Sequence, residues 1–269
     1  MIHRFGILHL FFLLFFIAGF SYAQLNSDNW ESVPLNVSSV FGEVPLKTEF
    51  FSKDTVFILN SAGFFFSADG GNSFSKTQSF GNALSFDFSS RKIGYMVGLN
   101  GLLKKTTNSG IFWSDLPTLT SYALRAVSFT EDKKGIVVGD NGTIFRTVDG
   151  EVNWKTINSG TTESLWAVKW ITDKVVLIGG NNSTMLRSID GGLNFSPVTL
   201  PSIGNIYNLD FYNAQFNFLG DSSRVSLYDQ SYILASGSLQ TLLRSTDMGI
   251  TWTNVAPYEP NLAYKKTFS

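Results

Sequence analysis

The chain has 269 residues, of which 43% are hydrophobic and 15% aromatic, and its formal net charge is −1. It is long enough to form a large core, but it lacks the positive charge expected of a nucleic-acid-binding protein. There is no cysteine, and both histidines, His3 and His9, lie close to the N-terminus. The rest of the chain therefore cannot supply a disulfide, a Ser-His-Asp or Cys-His nucleophile, or the usual ligands of zinc.

Residues 1–23 predict a secretory signal peptide. Arg4 precedes an apolar run from 7 to 20, and Ser21-Tyr22-Ala23 ends in a small residue suited to cleavage. The run is shorter than the roughly 20 residues of a membrane-spanning helix. We expect a secreted or periplasmic protein without stable membrane insertion, and an uncleaved membrane anchor is the alternative. Removing Arg4 changes the net charge from −1 to −2 for residues 24–269.

One short pattern, Ser/Thr-x-Asp/Asn-x-Gly-x-x-Trp/Phe, recurs five times, and we call each copy a box. The starts of the boxes are separated by 39, 41, 41 and 57 residues, a period typical of repeat architectures. In the third copy, Glu151 replaces the glycine. We expect the acid or amide to accept backbone N–H groups, the glycine to take a positive φ, and the aromatic to fill the space between repeats. A structural role, not a catalytic one, is predicted for Asp69, Asn108, Asp149, Asp190 and Asp247.

Four strand patterns accompany each box. A first strand, Leu124–Phe129, is matched at 165–170 and 206–211, and a glycine-bounded apolar strand follows it. Asn100-Gly101 and Asn141-Gly142 then favour type I′ turns, because both central residues of that turn need a positive φ. An alternating strand leads into the box, and the aromatic residue of the box opens the fourth strand.

This organisation predicts an all-β fold, a β-propeller of four-stranded antiparallel blades with five full blades. Trp30–Pro34 matches a fourth strand and Leu262–Phe268 a first strand, so orphan strands are expected at both ends. We interpret residues 24–269 as one propeller truncated from six or seven blades, or alternatively as five blades that close alone. The long last interval indicates a loop elaboration near residues 212–228.

The repeat unit resembles the Asp-box, or bacterial-neuraminidase-repeat, propellers, and more closely the photosystem II stability and assembly factor family. The resemblance rests on Leu124–Phe129, on 135–150 and on Trp154, and it extends over roughly residues 30–268. It implies an exported, seven-bladed propeller that holds protein partners during assembly and performs no chemistry. It does not imply photosynthesis, because similar repeats serve as a general scaffold.

One repeat position carries residue types that dominate binding hot spots. It is the second residue of the first strand, expected near one mouth of the channel, and it holds Leu84, Arg125, Trp166, Tyr207 and Tyr264. We predict that Arg125, Trp166, Tyr207 and Tyr264 form a surface for a protein partner. The alternative is that Trp166 and Tyr207 pack between neighbouring blades.

A sialidase-like glycoside hydrolase or a carbohydrate-binding propeller is the alternative function, with a glycan as its ligand. Such enzymes can use a Tyr nucleophile, but they need arginines that converge on one substrate. Arg146, Arg187 and Arg244 share one repeat position just before the box. We expect them to point outward on separate blades, in contact with solvent or with a neighbouring blade. The sequence predicts no catalytic residue, no metal site, no cofactor and no nucleic-acid partner.

Overall fold

The computed structural model describes residues 46–150, 153–201, 204–212, 231–239 and 241–255. These residues form five sheets of four antiparallel strands, arranged as a β-propeller, as predicted. Within these ranges, no helix is long and apolar enough to cross a bilayer. The predicted signal peptide, the orphan strands at 30–34 and 262–268, and the loop elaboration at 213–228 lie outside the described residues.

Each blade consists of four consecutive strands. The first blade contains β1 (Lys47–Phe50), β2 (Val56–Asn60), β3 (Gly63–Ser67) and β4 (Ser75–Gln78), and the second contains β5 (Ala83–Phe88), β6 (Gly94–Gly98), β7 (Leu103–Thr106) and β8 (Ser114–Asp115). The third contains β9 (Leu124–Phe129), β10 (Gly135–Gly139), β11 (Ile144–Thr147) and β12 (Trp154–Thr156). The fourth contains β13 (Leu165–Trp170), β14 (Val176–Gly180), β15 (Met185–Ser188) and β16 (Ser196–Pro197), and the fifth contains β17 (Ile206–Tyr212), β18 (Tyr232–Gly237), β19 (Leu242–Ser245) and β20 (Thr253–Asn254).

The blades pack face to face in chain order. The first strands β1, β5, β9, β13 and β17 contact one another in succession, so they lie at the centre, and the fourth strands form the outer edges. Aromatic rings fill the gaps between blades. Phe57 stacks on Phe88 at a centroid distance of 4.4 Å, and Tyr95 stacks on Phe129 at 3.6 Å. Many aromatic residues of the described ranges therefore lie in the core, where their large rings fill the space between blades.

The Asn-Gly pairs form the predicted tight turns. Asn100 and Gly101 have φ values of 56° and 68°, and Asn141 and Gly142 have φ values of 55° and 63°. Asparagine and glycine tolerate this left-handed backbone better than other residues do. Each turn joins the second strand of a blade to the third, and it lies at the same end of the blade as the start of the first strand.

Each box closes on itself through its hydroxyl and its carboxyl or amide group. In the fourth blade, Ser188 Oγ donates to Asp190 Oδ1 at 2.8 Å, and it accepts from Gly192 N at 2.9 Å. Asp190 also accepts from the backbone and side chain of Asn194. The boxes that contain Asp69, Asn108 and Asp247 repeat this bonding. In the third box, Gly150 N bonds to Thr147 Oγ1, one residue earlier than in the other boxes.

The boxes also join the blades. A Cβ atom at Gly110 would lie 2.6 Å from Phe64 of the preceding blade, and a Cβ atom at Gly249 would lie 2.8 Å from Leu177 of the preceding blade. Only glycine permits this close approach together with a positive φ.

Two of the three repeat-related arginines hold the next blade, as the inter-blade interpretation predicted. Arg146 donates to Gly191 O at 2.6 Å, and Arg187 donates to Met248 O at 2.8 Å. Both acceptors are carbonyl groups in the box of the following blade. Arg244 instead lies over the ring of Tyr232 at 5.0 Å.

Charged residues of the first strands meet at the centre of the propeller. Lys47 lies 4.0 Å from Glu49 Oε2, and Lys169 lies 3.8 Å from Asp210 Oδ1. Asp87 accepts a hydrogen bond from the backbone N–H of Phe129. Among the described residues, Glu49 Oε2 is buried without a hydrogen-bond partner. Burial and the nearby Asp87 raise the pKa of Glu49 to about 8, whereas Lys47 and Lys169 act in the opposite direction.

The boxes give the protein an acid-sensitive contribution to stability. Hydrogen bonds from Ser73 lower the pKa of Asp69 to about 2, and those from Asn194 lower the pKa of Asp190 to about 2, from an ordinary value of 3.8. A carboxylate with a depressed pKa stabilises the fold above the unfolded pKa and loses this effect as the pH falls through the folded pKa. We therefore expect D69N/D190N to flatten the fall in the free energy of unfolding between about pH 4 and pH 2.

Urea unfolding of both proteins across this pH range tests the prediction. Asn108 shows that an amide fits the same place in a box, so the substitutions should preserve the turn. If the free energy of unfolding falls equally in the parent and in the variant over this pH range, the ionised boxes do not stabilise the fold.

Glu49 gives the opposite pH dependence. The folded chain keeps a proton on Glu49 up to about pH 8, whereas the unfolded chain releases it near pH 4.5. The free energy of unfolding should therefore fall as the pH rises through this window. Glu49→Gln should remove that fall and make the variant more stable than the parent at pH 8.

Thermal melts of the two proteins at several pH values measure this effect. The same change at Glu131, in the exposed turn between β9 and β10, controls for the loss of one formal charge. Equal stability of Glu49→Gln and the parent at all pH values would show that Glu49 is not protonated in the fold.

Candidate functional site

The propeller has two faces of different construction. One face is formed by the turns between second and third strands and by the connections from each fourth strand to the next blade, and we call it the connection face. The other, the box face, carries the boxes and the loops between first and second strands. Backbone hydrogen bonds also link neighbouring blades on the connection face: Gly142 N bonds to Glu163 O at 2.9 Å, and Ser183 N bonds to Gly204 O at 3.0 Å.

A β-bulge occurs at the same place in four blades, on the connection face. In the fourth blade, Leu165 pairs with Gly180 and Ala167 pairs with Gly179, so Trp166 has no partner in the ladder. The same register shift leaves one residue unpaired in three other blades: Leu84, Arg125 and Tyr207. A bulge redirects the side chain of its extra residue. The predicted binding position is therefore the bulged residue of each blade.

The bulged residues of three consecutive blades form one continuous row. The Arg125 guanidinium lies over the Trp166 ring at 3.8 Å from its centroid. Trp166 meets Tyr207 edge to face, with the ring centroids 5.6 Å apart and the ring planes at 85°. We call Arg125, Trp166 and Tyr207 the aromatic row. These residues contact one another across the blade boundaries, and 41% of Tyr207 is still exposed on the surface.

Arg125 is neutralised by a carboxylate of its own blade. Its Nε and Nη2 atoms donate to the two oxygens of Asp140, with an Nη2 to Oδ2 distance of 2.9 Å. Partial burial favours the protonated acid, but hydrogen bonds from Arg125 and Ser164 and the charge of Arg125 hold the pKa of Asp140 below its ordinary value. A bidentate pair of this kind fixes the guanidinium in one plane. The guanidinium of Arg125 is thus held over the ring of Trp166.

Asparagines fix the other members of the aromatic row. Trp166 Nε1 donates to Asn181 Oδ1 at 2.7 Å, and Asn205 Nδ2 donates to Tyr207 Oη at 2.9 Å. Asn182 donates to Glu163 Oε1 at 3.0 Å and also binds Asn205 through its backbone N–H. Sequence analysis missed these partners. Asn181 directly follows a glycine-bounded second strand, and Asn205 directly precedes a first strand. These places in the repeat are the sequence signal that could have identified them.

The other members of the predicted site differ in what they contribute. Leu84 occupies the bulge of the second blade, but it is aliphatic and half-buried, so the aromatic row begins at Arg125. Tyr264 lies outside the described residues. Trp166 and Tyr207 contact each other across a blade boundary, as the alternative interpretation expected, but the exposure of Tyr207 leaves a surface for a ligand.

Two other kinds of site differ from the aromatic row. In the part of the chain that the structure describes, no three His, Cys, Asp or Glu side chains come close enough to hold a metal ion. An open groove of about 650 Å³ lies at the outer edge between the fourth and fifth blades, lined in part by Ile189, Leu200, Ile250 and Trp252. Arg187 also lines the groove, but it is already bound to the carbonyl group of Met248.

Comparison with solved structures supports the fold. The chain is similar to a structure of YCF48 bound to D1 peptide, with a TM-score of 0.55, 15% identity, and coverage of 86% of this chain and 85% of that one. It is also similar to YCF48 from Cyanidioschyzon merolae, with a TM-score of 0.54, 14% identity, and coverage of 76% and 70%. Identities this low establish the propeller fold alone.

Enzymes occur among the similar structures as well. A GH74 enzyme from Niastella koreensis has a TM-score of 0.56 and 15% identity, and the match covers 75% of this chain and 36% of the enzyme. This chain therefore spans only about a third of that enzyme's length. No family model matches the chain, and no curated protein matches it.

Proposed function

We propose that this protein is an exported, non-catalytic β-propeller scaffold that binds a protein partner on its connection face. The observation that carries the proposal is the aromatic row: three bulged residues from three blades form one continuous, partly exposed surface. Tryptophan, tyrosine and arginine are the residues that most often dominate protein interfaces. Export follows from the predicted signal peptide, and the five boxes are the basis for placing the chain with the Asp-box propellers.

The row is ordered before any partner binds. Arg125 is held by Asp140, Trp166 by Asn181 and Tyr207 by Asn205, so few side-chain rotations would be lost on binding. Preorganisation of this kind raises affinity because it lowers the entropic cost of association. The similar YCF48 structure contains a bound D1 peptide, which favours a polypeptide as the ligand class of this fold.

The non-catalytic part of the proposal rests on where the arginines lie. Arg146 and Arg187 are each engaged with a carbonyl group of the next blade, on the box face, and they do not converge. This arrangement argues against a sialidase-like carboxylate site. A turnover assay with xyloglucan and with a panel of sialosides tests this point, and hydrolysis by the purified protein would replace the scaffold proposal with an enzyme.

Alanine at Tyr207 or Trp166 should weaken capture of the partner. Each residue is expected to contribute about 2 kcal/mol, or roughly a thirtyfold change in Kd, as hot-spot residues do. Tyr207→Ala should leave the melting temperature almost unchanged, because the side chain is partly exposed and contacts its neighbours mainly on the surface.

The measurement is affinity capture from the envelope fraction, followed by titration of the captured protein against each variant. Phe112→Ala provides a matched control, because Phe112 is an aromatic residue with 59% exposure on the box face. Equal loss of binding in Phe112→Ala and Tyr207→Ala, or no loss in either, would remove the aromatic row as the binding surface.

A further inference from the structure

Charge is distributed unequally between the two faces. Among the described residues of the turns and blade-to-blade connections on the connection face, only Asp140 and Glu163 are charged. The loops and boxes of the other face carry many more charges, on Lys53, Asp54, Asp69, Arg91, Lys92, Glu131, Asp132, Lys133, Lys134, Asp149, Asp173, Lys174, Asp190 and Asp247. The described turns and connections of the connection face therefore carry far fewer charged residues than the loops and boxes of the box face.

The two acids on the connection face already have hydrogen-bond partners, and one of them, Asp140, is paired with a cation. Arg125 donates to both oxygens of Asp140, and Glu163 accepts from the amide of Asn182. A charged ligand would have to compete with the bidentate Arg125–Asp140 pair, which is costly to break in a half-buried position. Among the described residues of the turns and connections on this face, there is thus no lysine or arginine for an acidic ligand to bind.

Apolar side chains are exposed between these polar groups. The large exposed hydrophobic residues of the connection face are Leu46, Leu99, Tyr122, Tyr207, Leu239 and Val255. They lie among Asn, Ser, Thr and Gly residues of the turns. Rigid aromatic anchors with short, neutral polar residues around them are typical of surfaces that bind polypeptides, and the cores of protein interfaces are depleted of charge.

We propose that the connection face recognises an uncharged polypeptide segment with apolar side chains, and that this binding depends little on salt. The inference rests on the proposed function and adds the chemistry of the ligand. A polypeptide fits better than a neutral glycan, because apolar side chains can pack on the exposed leucines, whereas the C–H faces of sugar rings stack mainly on aromatic rings. The backbone of such a segment supplies the donors and acceptors that the turn amides and hydroxyls need.

The test is selection of a phage-displayed library of random dodecapeptides on the purified protein, with counter-selection on Tyr207→Ala. Enriched peptides are synthesised, and their Kd is measured at about 50 mM and about 500 mM NaCl, because charge contacts weaken over this range. We expect enriched peptides of near-zero net charge with apolar or aromatic residues, and a change in Kd below about threefold between the two salt concentrations.

Two variants complete the test. Tyr207→Ala should weaken the selected peptides by roughly tenfold or more, as loss of an interface anchor does, whereas Phe112→Ala on the box face should not. Enrichment of acidic or basic peptides whose Kd rises by about tenfold in high salt would overturn the neutral-ligand inference and leave the proposed function intact.

Two further results would contradict the proposed function as well as the chemistry of the ligand. Failure to enrich any peptide over the Tyr207→Ala background would count against polypeptide binding itself, and therefore against the proposed function. Binding of neutral glycans on an array, lost in Tyr207→Ala and without peptide binding, would replace the polypeptide with a carbohydrate ligand.

Discussion

The contact between a box and the preceding blade, made by the boxes of the second to fifth blades, is the interaction on which this fold depends. The fourth strands are only two to four residues long, so a blade gains little from its outer edge. The box compensates by satisfying its own backbone with a hydroxyl and a carboxyl or amide group, and by placing a glycine against a large side chain of the preceding blade. Arg146 and Arg187, which precede the third and fourth boxes, also bind the next box in the ring. Local turn chemistry and packing between blades are thus joined in one eight-residue segment.

Much of this architecture could be predicted from the chain because it repeats. The boxes, the Asn-Gly turns and the glycine-bounded strands each depend on residues close together in sequence, such as Ser188 and Asp190. Sequence spacing is enough to identify these features, since their hydrogen bonds span two to four positions. The all-β propeller with five blades follows from the period of the repeat and is confirmed.

Contacts between residues of different blades could not be predicted, because they form only when the blades come together around the centre. Glu49 and Lys169 occupy the same repeat position in the first and fourth blades, directly before the Phe or Trp of the first strand. This position is charged in four of the five described blades, but which of these side chains interact depends on how the blades meet at the centre. The β-bulge was also missed, although the position it redirects was identified at Arg125, Trp166 and Tyr207. The repeat pattern identifies which residue of the first strand varies. It does not predict that this residue is bulged and exposed, because residue types do not specify a local shift of register.

The β-bulge also explains how a uniform scaffold can acquire a specific surface. The paired residues around it are constrained by the sheet and the core, as Leu124 and Leu165 show by their complete burial. The bulged residue makes no ladder pair, so an exchange there should leave the strand register of the blade unchanged. The copies have diverged accordingly, to leucine, arginine, tryptophan and tyrosine. Each of these four blades thus carries one position at which specificity can change without a change of strand register, and new ligands can be acquired one blade at a time.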